Sequence, residues 1–544
     1  MFEKLLIANR GEIAVRIIRT AKEMGLSTVA VYSEPDRDAM HVRMADEAYL
    51  LGPAAASQSY LNVDKLLDVA RRSGAQAVHP GYGFLAENAA FARSVTEAGL
   101  VWVGPHPDAI DAMGDKVRAR QAMVKAGVPV VPGGTEAIRD VAHAKEAANE
   151  YGLPLALKAS GGGGGKGLKV ARTFEELEAA FTTARREAEA YFKNGTIYAE
   201  RYLDNPKHVE LQILADKHGN VLHVGERDCS LQRRHQKLWE EAPATISAKV
   251  GDGMREAGIR AAKAIGYDSA GTIECLVSGD EFFFLEMNTR IQVEHTVSEM
   301  ISGLDLIREQ IRVAAGEPLG YGQDDIIFRG YAIEGRVNAE DPAQNFRPAP
   351  GTVTRYKEPG GLGVRVDSAA YDGFTISADY DSMIAKLVVW APTRDAAIAR
   401  LRRAIDEYRI EGVPTTLPLL HELCDHPPVR DASYGTATLE AFAAAHFASA
   451  NGAPVIPQAA SAEAEPEVVR IEVNDKLFRV RVIDRPAVRG GAKTAARPAP
   501  RTMQKKQAAG PAGNDVTSPM HGVVVEVGVS KGDTVSEGQV VAVI

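Results

Sequence analysis

From Glu286 to Glu294 every second residue is polar: Glu286, Asn288, Arg290, Gln292 and Glu294 alternate with Met287, Thr289, Ile291 and Val293. Side chains of an extended chain point alternately to opposite faces. The spacing therefore predicts one face carrying oxygen donors for a hard cation, an anion clamp and a candidate base. A solvated strand face would alternate in the same way, and what separates the two readings lies upstream. Glu274 sits in a strand-like run, 272–277, and a second run, 282–287, leads into the polar series. With a three-residue turn over 279–281, Glu274 stands directly opposite Glu286, whereas a two-residue turn slips the register by one and spoils the pairing. Two carboxylates sharing a face suit magnesium or manganese bridging to nucleotide phosphates, with Asn288 as a further oxygen ligand.

A second chemical feature is the unbroken run of five glycines, Gly161 to Gly165, followed by Lys166 and Gly167 and preceded by a strand-like 155–158. Glycine lets backbone N–H groups approach phosphate oxygens with no side chain between. The run does not end in the Lys-Ser/Thr of a Walker loop, because Gly167 and Leu168 follow Lys166. It reads as a mobile lid over ATP, with Lys116 and Lys158 neutralising phosphate from outside it. A third feature is the charge-dense stretch from Glu226 through Arg227, Asp228, Gln232, Arg233, Arg234, His235 and Lys237 to Glu240 and Glu241. Taken alone, this stretch is as compatible with a solvated loop as with a site. A glycine-rich loop, His79-Pro80-Gly81-Tyr82-Gly83-Phe84, follows another strand-like segment, where open α/β sheets bind ligands.

The elements that must hold these groups begin with a βαβ unit: strand 5–8, a helix to Glu23, a stop at Gly25 and strand 27–32. Alternation continues to strand 101–103, so the opening 115 residues read as a doubly wound α/β domain without a G-x-G-x-x-G fingerprint. At 544 residues the chain exceeds one core, and about 150 residues per domain implies three to four units. The segment 113–315 mixes helices with short strands, and 329–447 resumes strands and closes with helices near 394–408 and 417–423. Residues 448–515 are rich in Ala, Pro, Gly and Lys, interrupted by a hairpin-like 467–483 turning at Asn474-Asp475. A net charge of −9 with both signs interspersed recommends neither nucleic acid nor an anionic membrane as a partner. Cys229, Cys275 and Cys424 lie far apart, outside metal-ligand spacing, as expected of buried thiols in a reducing compartment. Without a signal-peptide pattern or a long apolar span, a cytoplasmic location is expected.

Together the clusters resemble the biotin carboxylase family of the ATP-grasp superfamily across residues 1 to about 447. The carriers are IANRGEI (7–13), HPGYGFLAEN (79–88), KASGGGGGKG (158–167), ERDCSLQRRHQKLWEEAP (226–243), EMNTRIQVEH (286–295) and RVNAEDP (336–342). The resemblance implies a multidomain α/β and α+β chain. Its parts would be an N-terminal domain (1–115), an ATP-grasp domain (116–328) with a lid at about 130–203, a C-terminal domain (329–447), a linker with a small β docking element (448–515) and a partial β biotinyl carrier domain (516–544). It places Lys116, Lys158, Gly163, Gly164, Gly165, His208, Gln232 and His235 around ATP, with Glu200 and the Leu203 backbone at the adenine and Arg201 at the adenine or a phosphate. Arg201 stands where many members carry lysine. Glu274, Glu286 and Asn288 become ligands of Mg2+ or Mn2+. Lys237, Arg290, Gln292 and the Val293 N–H would hold bicarbonate, Glu294 would be the general base, Arg336 would stabilise the biotin enolate, and Tyr82 and Gly83 would lie near the biotin ring.

The implied reaction passes from ATP and bicarbonate through carboxyphosphate to carbon dioxide and phosphate, which deprotonates biotin for carboxylation. The expected assembly is the α subunit of an acetyl- or propionyl-CoA type carboxylase in fatty acid biosynthesis. A separate carboxyltransferase β subunit would receive the acyl-CoA, biotin protein ligase would supply the biotin, and the whole would be a homo- or hetero-oligomer. Ser518 to Gly522 and Lys531 to Asp533 resemble the first half of a biotinyl domain, but no lysine between two methionines follows, so the acceptor lysine is expected beyond a truncated end. Alternatives are the biotin-carboxylating subunit of a pyruvate carboxylase, a carbamoyl phosphate synthetase and a catalytically silent assembly scaffold.

Overall fold

The computed structural model describes residues 1–134, 136–159, 168–192, 195–234 and 236–447, the strands 468–473 and 476–481, and positions 526, 527, 529, 542 and 543. The chain divides into two compact units, residues 1–448 with 519–544 and residues 449–518.

The first unit opens with five parallel strands, β1 (Lys4–Ile7), β2 (Ser27–Ser33), β3 (Glu47–Gly52), β4 (Ala77–His79) and β5 (Val101–Trp102), in the order β3-β2-β1-β4-β5. Successive β1 side chains enter different cores. Leu5 and Ile7 pack with the helix Gly11–Glu23, while Leu6 joins Val29, Val31 and Val78 on the other face. Burial on both faces is why such strands read as continuous apolar runs. The strand order reverses at β1, and there the loops after β1 and β4 are tied: Asn9 Nδ2 donates to the carbonyls of Pro80 at 2.6 Å and Tyr82 at 2.7 Å. Gly81 has φ +64°, and a Cβ there would lie 2.9 Å from Asn9 Nδ2, so the close approach requires glycine.

A three-stranded antiparallel sheet follows, β6 (Leu155–Ala159), β7 (Leu168–Ala171) and β8 (Ile197–Arg201), backed by the helices Val141–Tyr151 and Leu177–Phe192. The glycine run at 161–165 joins β6 to β7 in sequence and lies outside the described residues.

The main frame is one eight-stranded antiparallel sheet. It contains β9 (Lys207–Ala215), β10 (Val221–Arg233), β11 (Gln236–Ala242), β12 (Ser269–Ser278), β13 (Glu281–Asn288) and β14 (Tyr331–Asn338), ordered β13-β12-β9-β10-β11-β14 and continued by the strands Met383–Ala391 and Val364–Ser368. The sheet is continuous across the 328/329 position, because β14 pairs directly with β11. Its backing cores are Val209, Leu211 and Ile213 against Met254 and Ala257 of the helix Ala248–Ala264 at one end, and Leu387 and Val389 against Ile398 and Leu401 of the helix Arg394–Glu407 at the other. All three cysteines are buried and unbridged. Among the described residues no helix is long and apolar enough to cross a membrane.

In the second unit, Val468–Val473 and Lys476–Arg481 pair antiparallel in unbroken register. The turn expected at Asn474-Asp475 lies outside the described residues. Of 516–544, the strands Glu526–Val527 and Ala542–Val543 pair antiparallel, and the motif residues Ser518 to Gly522 and Lys531 to Asp533 are outside the description.

Candidate functional site

A cavity of about 960 Å³ lies over β9 to β14, lined by Lys158, Glu200, Arg201, Leu203, His208, Gln232, Lys237, Glu274, Glu286, Asn288, Arg290, Gln292, Val293, Glu294 and Arg336. These residues come from segments up to 178 positions apart (Lys158 to Arg336), so one cavity unites clusters that are scattered in sequence. Tyr82 and Gly83 are not in its lining. Gly163, Gly164, Gly165 and His235 lie outside the described residues, as does the side chain of Lys116.

Glu274 does face Glu286, but not by the expected turn. Ser278 pairs with Glu281, so the turn has two residues, Gly279 and Asp280, with Gly279 at φ +57°. That register alone would set Glu274 against Leu285. The ladder instead shifts between Cys275 and Glu274, leaving Leu285 as one extra residue, so that Phe284 still meets Cys275 while Glu286 meets Glu274. A β-bulge of this kind sets two residues against one and re-aims the side chains that follow.

The extended series also needs correction. β13 ends at Asn288, Thr289 and Arg290 form a bend, Val293 and Glu294 a turn, and the helix His295–Ser302 begins with Glu294 at its N-cap. Glu87 holds the bend, accepting from the Thr289 N–H at 3.1 Å and from Arg290 Nε at 2.9 Å. Ile291 is fully buried in the core shared with β1. The five polar residues share the cavity because the chain folds back around Ile291, not because it runs straight. The charge-dense stretch is likewise no solvated loop. It is the β10–β11 hairpin, buried from Glu226 to Gln232 and again from Leu238 to Glu241.

Glu294, 2% exposed, is the hub of the charged floor. Its Oε1 accepts from Lys237 Nζ at 2.7 Å and its Oε2 from Arg336 Nη2 at 3.0 Å. Lys237 also donates to Glu210 and to Glu274 Oε1 at 3.2 Å, and Arg336 Nε to Glu240 Oε1 at 2.6 Å. Burial alone would push the Glu294 carboxyl up, but Lys237, Arg336 and Arg227 outweigh it and hold the group well below the usual range. Glu274 is likewise held down against its burial by Lys237 and His208. Glu240 goes the other way: burial dominates its arginine partner and pushes its carboxyl up to about 7.

Beneath Glu294, the fully buried Arg227 binds Glu210 Oε2 through Nε at 3.0 Å and Nη2 at 2.9 Å, and donates to Gln292 Oε1 at 2.8 Å. Gln292 passes the connection on, its Nε2 reaching Glu274 Oε1 at 2.8 Å. Asn288 Nδ2 donates to the same oxygen at 2.8 Å, while Asn288 Oδ1 accepts from Arg290 Nη2 at 2.8 Å. This orients a guanidinium and an amide beside the carboxylate and sets the arrangement for a small planar anion.

At the other end of the cavity Lys158 pairs with Glu200, and Arg201 Nη2 lies 3.2 Å from Glu281 Oε2. Gly133 bridges to Glu200 so closely that a Cβ would fall 2.6 Å from the Glu200 Cβ. Leu203 packs with Val131 and Phe283 in a small apolar cluster, which suits the face of a heteroaromatic ring. His208 Nε2 lies 2.9 Å from Glu274 Oε2, and its Nδ1 meets Gln232 Nε2 at 3.1 Å. The donor set fits a hard divalent cation: Glu274 and Glu286 are opposed on adjacent strands, line the cavity together and carry carboxylate oxygens.

Sequence reasoning left Glu210, Arg227, Glu240, Glu87 and Lys386 without roles. Glu210 had a readable signal, because His208, Glu210 and Gln212 alternate with Val209, Leu211 and Ile213 on a true strand whose other face is core. Arg227 and Glu240 fall in the charge-dense stretch and Glu87 in the glycine-loop motif. Lys386 sits in an apolar strand with no such pattern around it.

Three family models match the chain: the biotin carboxylase N-terminal domain over residues 1–110, the ATP-binding domain of the carbamoyl-phosphate synthase L chain over 115–321, and the biotin carboxylase C-terminal domain over 334–441. Biotin carboxylase 1 of Bacillus subtilis is 53% identical over 445 residues, covering 81% of this chain and 99% of that protein. A crystal structure of the biotin carboxylase subunit of pyruvate carboxylase superposes with a TM-score of 0.75 at 50% identity, covering 81% of this chain and 98% of that one. A crystal structure of the biotin carboxylase domain dimer of Hydrogenobacter thermophilus 2-oxoglutarate carboxylase, in complex with MgADP, ADP and bicarbonate, superposes with a TM-score of 0.74 at 50% identity, covering 82% of this chain and 98% of that one.

Proposed function

This chain belongs to the biotin carboxylase family of ATP-dependent ligases, and from that premise we propose that its cavity binds ATP and bicarbonate and carboxylates biotin presented on a carrier. The observation that carries the reading is Glu294, a buried carboxylate shared by Lys237 and Arg336, within the same cavity as the opposed Glu274 and Glu286. It supplies a proton acceptor, an anion clamp and a cation site together.

In this reading Lys158, with Lys116, neutralises the nucleotide phosphates, and Glu200, Arg201 and Leu203 meet the adenine. Glu274, Glu286 and Asn288 would hold magnesium or manganese, which supplies charge neutralisation to the phosphates when bound. Lys237, Arg290, Gln292 and the Val293 N–H orient bicarbonate. Bicarbonate gives Lys237 a second acceptor, which would weaken its hold on Glu294 and raise the proton affinity of that carboxylate toward a competent acceptor. Glu294 takes the bicarbonate proton as the oxygen attacks the γ-phosphorus, and ADP leaves. Carboxyphosphate then splits to carbon dioxide and phosphate, and the phosphate takes the biotin ureido proton. Arg336 faces the oxygen that gains charge, and the nitrogen captures carbon dioxide.

For the complete assembly we propose an acyl-CoA carboxylase with a separate carboxyltransferase subunit. The support is that the chain continues past residue 447 into a hairpin and a carrier-like segment. The dimer of the Hydrogenobacter domain supports a homodimeric core. The test of the site is ATP cleavage by the purified chain with magnesium, expected to depend on bicarbonate and to rise with free biotin. Absence of both responses in a folded, metal-replete preparation overturns the proposal. The isolated complex is then offered acetyl-CoA, propionyl-CoA, pyruvate and 2-oxoglutarate with labelled bicarbonate. Label in a keto acid instead of an acyl-CoA rejects the assembly reading.

A further inference from the structure

Arg336 on β14 and Lys386 on the neighbouring strand Met383–Ala391 stand directly opposite each other in the ladder. Like charges so placed repel, and Lys386 is 0% exposed, so partners must take up both. On the next strand Asp367 is paired with Lys386, its Oδ2 at 3.8 Å, and Glu12 Oε2 approaches from the helix Gly11–Glu23 at 3.2 Å. The third partner is no carboxylate: Lys386 Nζ donates to the backbone oxygen of Val293 at 3.1 Å. Arg336 meanwhile donates to the side chain of the next residue, Glu294. Two opposed cations thus hold two consecutive residues, one by its main chain and one by its carboxylate.

The held segment is closed by His295, which donates to the Gln292 carbonyl through Nδ1 at 2.7 Å and through its N–H at 3.3 Å, but that brace reaches neither the Val293 carbonyl nor the Glu294 side chain. Glu294 is the N-cap of the helix His295–Ser302 but makes no side-chain capping bond, since its oxygens are given to Lys237 and Arg336. We infer that Lys386 is a positioning residue for Glu294, fixing through the Val293 carbonyl the turn from which the base projects. The inference rests on the reading of Glu294 as the base. Charge balance alone would not call for the backbone bond. Asp367 already has Arg365 at 2.9 Å and 2.6 Å, and burial pushes Glu12 up to about 7 against the pull of Lys386, so it readily takes a proton. Lys386 Nζ is also 5.9 Å from the Tyr82 ring centre, which brings the glycine loop after β4 to the same ammonium.

The test compares wild type, Lys386→Met and the double variant Lys386→Met/Glu12→Gln, which removes lysine and carboxylate together and guards against loss of folding. The readouts are kcat and KM for ATP in biotin-stimulated ATP cleavage, melting temperature, and amide hydrogen exchange over residues 291–297. In the double variant the expected result is a melting temperature near wild type, kcat lowered tenfold to a hundredfold, KM for ATP within twofold, and exchange at least tenfold faster across the turn. Recovery of kcat to within twofold together with the melting temperature, or unchanged exchange, overturns the inference and leaves Lys386 a structural ion-pair residue. Should wild type show no bicarbonate-dependent cleavage, the proposed function falls, and the exchange result alone decides for or against Lys386.

Discussion

Replacing Glu294 with glutamine keeps the side-chain volume and removes the charge on which Lys237 and Arg336 converge at 2.7 Å and 3.0 Å. A positioned general base contributes about 10² to 10⁴ in rate, or about 3–5 kcal/mol of barrier at about 1.4 kcal/mol per factor of ten. Breaking a buried ion pair from one side costs about 3–5 kcal/mol of stability. The lower end is expected here, because Lys237 keeps Glu210 and Glu274 while Arg336 keeps Glu240. ATP affinity should move less than threefold, since Lys158, His208 and Gln232 are held by Glu200, Glu274 and each other and not by Glu294. The assay is steady-state ADP release with saturating bicarbonate and biotin, alongside nucleotide titration and melting. A kcat within tenfold of wild type refutes Glu294 as base. Loss of ATP binding with kcat would show instead that the carboxylate holds the cavity open. The Glu294 carboxyl is held well below 4.5 against its burial, so its stabilising contribution is complete above about 4.5 and is lost as pH falls through its folded value. The glutamine variant should therefore lose less stability than wild type on acidification below that point.

Glu274→Gln or Glu286→Gln should raise the magnesium needed for half-maximal activity at least tenfold, and an unchanged metal titration removes that residue as a ligand. Deleting Leu285 removes the bulge but leaves Glu274 opposite Glu286, so metal activation should stay within threefold of wild type. A shift as large as that of Glu274→Gln refutes the register argument. Burial pushes both Glu12 and Glu240 up to about 7 from 4.5. The folded state then binds protons that the unfolded state has released, so the contribution of each group to stability falls as pH rises from about 5 to 8, by up to about 3 kcal/mol. Burial holds His41, His79 and His223 below their usual range, which gives the opposite slope, so the test is the difference between Glu12→Gln and wild type: the variant should gain stability relative to wild type as pH rises across that range. A stability of Glu12→Gln relative to wild type that stays flat or falls with pH over the same range refutes the Glu12 assignment.

Much of the framework was legible because the signals were local. The βαβ opening is marked by apolar strands, a glycine stop and a helix between them, and the observed strands Lys4–Ile7 and Ser27–Ser33 lie within a residue of expectation. Helices at Arg394–Glu407 and Leu417–Leu423 were equally plain from their spacing. The β12–β13 register was a harder case. Turn length and bulge each move it by one residue, and the two cancel, so the correct pair of carboxylates followed from an incorrect turn. Apolar pattern decides which faces are buried, and Cys275, Phe284 and Met287 all enter one core. That pattern constrains the sum of the two shifts while leaving each of them free.

The polar series shows where the period-two rule stops. It holds on β9, where His208, Glu210 and Gln212 face the charged floor and Val209, Leu211 and Ile213 face the core. It fails after Asn288 because Glu87, 202 residues away, takes the Thr289 N–H and bends the chain. Nothing in residues 286–294 alone encodes that carboxylate. The same limit applies to Glu294, whose low proton affinity comes from Lys237 on β11 and Arg336 on β14. A buried carboxylate without those cations would be pushed up, as burial, together with the adjacent Glu294 charge, does to Glu240 despite Arg336. Residue type names the candidates for base and clamp, but the charge state that distinguishes Glu294 from Glu240 is set by the strand pairing, which brings Lys237 and Arg336 into contact with Glu294 above Arg227 and leaves Glu240 to share Arg336 beside a second carboxylate.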